Sequence, residues 1–270
     1  MLRQKLTYSI SEVVPYINWA YFYFAWNVKD RAERARLRAE AESRLESCVG
    51  RYAVNALFAI GRANSAGDDI VFEDRHIPML RQQHQAANGE PCLSMADFIR
   101  PLSSGIQDRM GIFATSVDAG METDYADDDY EQLMYKLLAD RLAEAAAELL
   151  HEQVRKYYWG YAPDESLSID EMHAEKFCGI RPAVGYPSLP DVSLNFVLDE
   201  ILGFGDIGIS LTESGAMKPH ASVSGLMISH PAARYFSVGT IGDDQLGDYS
   251  QRRGMTMDAM RRFLISNIKG

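Results

Sequence analysis

DDDYEQLMYKLLADRLAEAAAELLHEQVRKYY, residues 127–158, carries the longest helical periodicity in the chain. Leu133, Leu137, Leu138, Leu142, Ala145, Leu149 and Val154 align on one helical face, which predicts an amphipathic helix ending near Tyr158. Its acidic opening favours the positive end of the helix dipole. Before it the pattern is that of strands. ALFAIGRANSAGDDIVF (56–72) reads as a hairpin turning at Gly67, Asp68 and Asp69, and MGIFAT (110–115) as a further strand.

Further upstream, VVPYINWAYFYFAW (13–26) is too rich in bulky apolar side chains for a solvated segment. Pro15 closes any preceding helix, and Trp19, Phe22 and Trp26 recur at intervals of three and four, predicting a short buried helix that begins near Asn18. KDRAERARLRAEAESRLE (29–46) predicts a solvated helical face on which Asp30 and Arg34, or Glu40 and Arg44, stand one turn apart.

Downstream of the long helix, YWGYAP (158–163) and GIRPAVGYPSLPD (179–191) are too dense in Gly and Pro for a helix or a central strand, and must form shaped loops. ISLTESGAMKPHASVSGLMIS (209–229) and ARYFSVGTI (233–241) alternate in the manner of strands, and Thr256 is the N-cap of a final helix. This order predicts an α+β fold, a single domain over residues 1–270 with a twisted, largely antiparallel central sheet flanked by helices.

Composition narrows the function. With 47% hydrophobic residues over 270 positions, the chain can bury a core without disulfides or metals. A formal charge of -11 disfavours wrapping a nucleic acid, which requires clustered cations. Cys48, Cys92 and Cys178 are too dispersed for a disulfide framework or a CxxC site, and the six histidines lack zinc-ligand spacing. No signal-like opening and no apolar run of membrane length is present, so a soluble, cytoplasmic protein is expected.

RPAVGYP (181–187) is the stretch richest in chemistry. Arg181 can hold a carboxylate through two parallel hydrogen bonds, Gly185 lets the backbone come close to a ligand, and Tyr186 offers a ring face with a hydroxyl. The alternative is a structural loop whose arginine pairs with a neighbouring acid such as Glu175.

With its context, this loop resembles the activation domain of cobalamin-dependent methionine synthase, a family with an RxxxGY loop that binds S-adenosylmethionine (AdoMet). LADRLAEAAAELLHEQVRKYYWGYAP, GIRPAVGYPSLPD, LTESGAMKPHASVSG and SHPAARYFSV follow the family in order and spacing, and YINWAYFYFAW, GDDI, LRQQ and ADFI resemble it upstream. The resemblance spans about residue 7 to the C-terminus.

It implies that Arg181 holds the AdoMet carboxylate, that Ala183 lies on the loop whose backbone meets the ligand, and that Gly185 and Tyr186 complete the motif. Tyr235 and Phe236 stand where the family has a Tyr-Tyr pair, and Phe236 can contribute only by packing or through its backbone. Asn18 replaces the aspartate usual in the family and brings no charge to the ligand's α-ammonium. Glu144 and Glu175 resemble family positions near the ligand or the docking surface, and Asp140 a position on a face toward the cobalamin domain.

The implied function is reductive remethylation of cob(II)alamin, with the cobalamin carried by another domain or subunit and electrons delivered by a flavodoxin-like or other donor. Two alternatives are an interaction module that has lost AdoMet and a free-standing small-molecule methyltransferase.

Overall fold

The protein is described here by a computed structural model covering residues 1–84 and 89–268. Its strands are β1 (Leu2–Tyr8), β2 (Val54–Ala66), β3 (Asp69–Phe72), β4 (Arg75–Pro78), β5 (Asp108–Val117), β6 (Ser210–Leu211), β7 (Met217–Lys218) and β8 (Ser222–Met227). Its helices are α1 (Ile10–Val13), α2 (Trp19–Ala25), α3 (Arg31–Cys48), α4 (Gly120–Thr123), α5 (Asp129–Gln153), α6 (Ile169–His173), α7 (Leu194–Leu202), α8 (Asp243–Arg253) and α9 (Met257–Phe263).

The main sheet runs β4-β3-β2-β5-β8, with every pairing antiparallel. β2 is long enough to serve two neighbours on one edge: β1 pairs with Val54–Ile60 and β3 with Ala63–Ala66, while β5 takes the other edge. β6 and β7 form a separate ribbon.

Alternation along β2 sorts its side chains onto two faces. Val54, Ala56, Phe58 and Ile60 face a core that contains Leu138, Leu142, Ala146 and Leu150 of α5. Leu57, Ala59 and Ala63 face the opposite core, against Leu194, Leu198 and Leu202 of α7. Both faces are thus covered by helix, which explains why β2 and β5 read as nearly continuous apolar runs. Alanines let α5 lie close to the sheet, and the Thr115 hydroxyl donates to the Ala143 carbonyl at 3.0 Å, tying strand to helix. A third cluster joins α8 and α9 through Leu246, Tyr249, Met260 and Leu264.

The α+β architecture, the hairpin, the long helix and the Thr256 cap match expectation. α5 continues through a wider turn, Val154–Tyr158, in the π conformation. Other segments depart from it. α2 begins at the Asn18 cap, but it is buried only along the Phe22 side, and Phe24 is 84% exposed. α3 is not wholly solvated: Leu37, Ala41, Leu45 and Cys48 are buried, and Arg44 bonds Glu40 at 2.9 Å and Glu131 of α5. ARYFSVGTI is not a strand. Its backbone is bound to a loop instead, with Val238 N–H donating to the Pro187 carbonyl and Phe236 N–H to the Ser188 hydroxyl.

No helix among the described residues is long and apolar enough to cross a membrane.

Candidate functional site

The 179–191 loop is held as an irregular extension of the sheet. Ile180 and Ile228 exchange backbone hydrogen bonds, Val184 N–H donates to Ser224 O, and Leu226 N–H donates to Pro182 O. This close approach requires Gly225: a Cβ there would lie 2.1 Å from the Pro182 carbonyl oxygen and 2.9 Å from Ala183 Cα. At Gly185 the requirement is conformational, a φ of 88° that turns the chain back so that its N–H meets Leu189 O.

A cavity of about 550 Å³ opens between this loop, the N-terminal segment and α5. Its size falls within the range usual for small-molecule sites, roughly 300 to 1,000 Å³. Asn18, Arg181, Ala183, Tyr186, Tyr235 and Phe236 all line it, whereas Gly185 shapes the turn behind the wall. Six of the seven residues singled out from the sequence therefore converge on one space, although they span more than two hundred positions of chain.

Arg181 is 8% exposed, lies over the Phe113 ring and donates through Nη2 to Glu148 Oε1. Its acidic partner is thus Glu148 and not Glu175. Burial works against the cation, and the carboxylates of Glu148 and Glu144 with Tyr235 overcome it, so its pKa is raised further. Tyr235 accepts the Arg181 backbone N–H at 3.0 Å. Tyr186 donates to Glu144 at 2.5 Å, and burial followed by that carboxylate pushes its phenol up. Phe236 acts through its backbone, whose carbonyl accepts from Ser188.

The far wall is braced from behind. Phe177 makes a T-shaped contact with the His151 ring, centroids 4.9 Å apart, and the guanidinium of Arg155 lies 4.5 Å from its centroid. Arg155 is fully buried and paired with Glu165 at 2.6 Å. Glu175 holds a left-handed φ of 56° as it closes α6, and burial with the nearby Glu148 pushes its carboxyl up. Asn18 serves twice, since its Oδ1 accepts the Ala20 N–H as the helix cap while the residue lines the cavity. Asp140 lies outside the wall, paired with His220 at 3.3 Å, and burial raises its carboxyl.

Three carboxylates, Glu144, Glu148 and Glu175, face two guanidinium groups, Arg141 and Arg181, so the wall is formally acidic by one charge. Two of its polar atoms, Arg181 Nε and Glu148 Oε2, are buried without a partner. Such atoms are uncommon in native interiors. Among the described residues no group of His, Cys, Asp or Glu is arranged to hold a metal ion.

The sequence matches the family model described as vitamin B12 dependent methionine synthase, activation domain, over residues 9–254. The chain belongs to this family. A solved MetH reactivation domain bound to AdoHcy is similar throughout: 36% identity, a TM-score of 0.94, and coverage of 100% of this chain and 91% of that one.

In this activation domain, Glu148 and Arg141 escaped the sequence reading. Their signal was available in the spacing of Arg141, Glu144 and Glu148, which places all three on one face of α5. That spacing alone does not separate a site from a solvated stripe.

Proposed function

We propose that this chain binds AdoMet in the cavity beside Arg181 and presents its methyl group for the reactivation of a cobalamin-dependent methionine synthase. The observation that carries the reading is the Arg181 guanidinium lining a cavity whose wall is otherwise acidic. AdoMet suits it: a carboxylate for the arginine, and a sulfonium and an ammonium that leave the molecule with one net positive charge. The solved relative holding AdoHcy supports the same class of ligand.

When bound, AdoMet supplies a methyl already activated by its sulfonium, for transfer to reduced cobalamin on another domain or subunit. No proton needs to move on the protein, so no general base is required. The chain's residues supply orientation, which can lower a barrier by several kcal/mol, about 7 or more in the best-aligned cases. Arg181 fixes the amino-acid end, the Tyr186, Tyr235 and Phe177 rings bound the space, and Ala183 carries the loop backbone against it. Gly185 permits the turn, and the Phe236 backbone ties its segment to the loop through Ser188. Residues 1–270 form one AdoMet-binding unit in this reading, working in the cytoplasm with a cobalamin-binding partner and a flavodoxin-like or other electron donor.

Calorimetric titration of AdoMet tests the assignment. Arg181→Ala should weaken binding at least about a hundredfold, the scale of a lost buried charge-assisted contact. Asn18→Asp keeps a competent helix cap and adds an anion, so it should bind equally or more tightly. Unchanged affinity in Arg181→Ala contradicts the site.

A further inference from the structure

His173, the last residue of α6, lines the cavity with a lone pair to spare. Its Nε2 lies 3.0 Å from the Tyr16 carbonyl oxygen. A carbonyl only accepts, so Nε2 carries the proton, and in the neutral ring Nδ1 is then an acceptor. Nδ1 has no partner among the described residues and is not sealed from solvent, so a bound molecule can reach it. The bond to Tyr16 also fixes the ring, because it ties α6 to the N-terminal segment, and both line the cavity.

Other neutral acceptors on the wall are already engaged. Asn18 Oδ1 takes the Ala20 N–H, the Ser188 hydroxyl takes the Phe236 N–H, and the Tyr235 hydroxyl takes the Arg181 N–H. The Tyr16 and Tyr186 hydroxyls are turned to Glu152 and Glu144. Carboxylates suit the cationic groups of a ligand, whereas a neutral acceptor suits a neutral donor. In AdoMet and AdoHcy the neutral donors are the exocyclic amine of adenine and the ribose hydroxyls. Met172 and Phe177, from the same segment as His173, are buried and line the cavity with it. Apolar and aromatic surface of this kind favours a planar base over a hydroxylated sugar.

We propose that Nδ1 of His173 accepts a hydrogen bond from the exocyclic amine of the ligand's adenine, which makes His173 the residue that selects the base. The proposal rests on the reading that AdoMet or AdoHcy occupies this cavity.

The test is calorimetry with AdoHcy and with its analogue carrying unsubstituted purine, which lacks only the amine, titrated into the full chain and into His173→Phe. Wild type should bind AdoHcy about fivefold more tightly than the analogue, the scale of one neutral hydrogen bond. His173→Phe should weaken AdoHcy by about that factor and so erase the preference. Equal binding of the two ligands by wild type overturns the proposal. So does a preference that survives in His173→Phe, including a variant that weakens both ligands alike, which would make His173 only a brace for Tyr16. Should His173→Phe fail to fold, the imidazole nitrogen NMR spectrum of labelled wild type decides. The His173 Nδ1 signal should move with AdoHcy and stay in place with the purine analogue, and a signal that moves equally with both, or with neither, overturns the assignment. Failure of AdoHcy to bind wild type at all is a different result, and it removes the underlying reading as well.

Discussion

His151 is fully buried beside the cavity-lining Phe177, the two rings in a T-shaped contact, with its Nε2 3.3 Å from the Tyr161 hydroxyl. Burial, reinforced by the cations of Arg155 and Arg181, drives its pKa well below the ordinary 6.5. In the unfolded chain it titrates normally. As pH falls through that ordinary value the unfolded state gains a proton that the native state refuses, so stability declines with falling pH. The slope is at most about 1.4 kcal/mol per pH unit for one such group. Urea denaturation at about pH 7.5 and 5.5 should therefore show wild type losing about 1.4 kcal/mol more than His151→Gln between the two. Parallel losses would mean that His151 takes up its proton within the fold.

The elements divide between those whose sequence carries its own instructions and those whose partners supply them. Gly225 belongs to the second kind: nothing in ASVSGLM announces it, yet β8 can meet the 181–186 loop only because it lacks a Cβ. Gly225→Ala should destabilise the protein by about 2 kcal/mol through overpacking and weaken AdoMet binding with it. Gly247→Ala is the contrast. It lies inside α8, its added Cβ would meet only the Met257 side chain at 3.8 Å, and a gain of about 0.5 to 1 kcal/mol is expected. Thermal or urea denaturation of both variants checks the pair, and destabilisation of equal size would refute the distinction.

The same division explains what the sequence discloses. α5 and the β2–β3 hairpin were legible because a repeated apolar face and a Gly67–Asp68 turn are local signals. α8 was not, since DDQLGDYSQRR has few apolar residues and a central glycine; it docks through Leu246 and Tyr249, the latter bonded to Asp191 at 2.8 Å. ARYFSVGTI alternates as a strand would, but its hydrogen bonds go to Pro187 and Ser188, which no local pattern encodes. In the site, Arg181 and Tyr186 stood out through their Gly and Pro neighbours, whereas Glu148 is one glutamate among several on a long helix. Only the crossing of that helix with the loop gives it a role.

At the scale of the molecule, one helix does two kinds of work. Leu138, Leu142 and Leu150 of α5 fix it to the sheet, while Arg141, Glu144 and Glu148 form a side of the cavity. The core that holds the helix thereby holds the site, and the loop across from it is held by β8. Hydrogen bonds from Tyr186 and Arg181 to that helix already bring loop and helix together before any ligand is considered. A largely pre-formed site is consistent with a function of orientation, since little of the binding energy is then spent on closure. The structure of this chain crystallised with AdoHcy tests the account most directly: the ligand should lie in the cavity with its carboxylate on the Arg181 guanidinium. AdoHcy bound elsewhere, or Arg181 contacting only Glu148 beside an empty cavity, would contradict it.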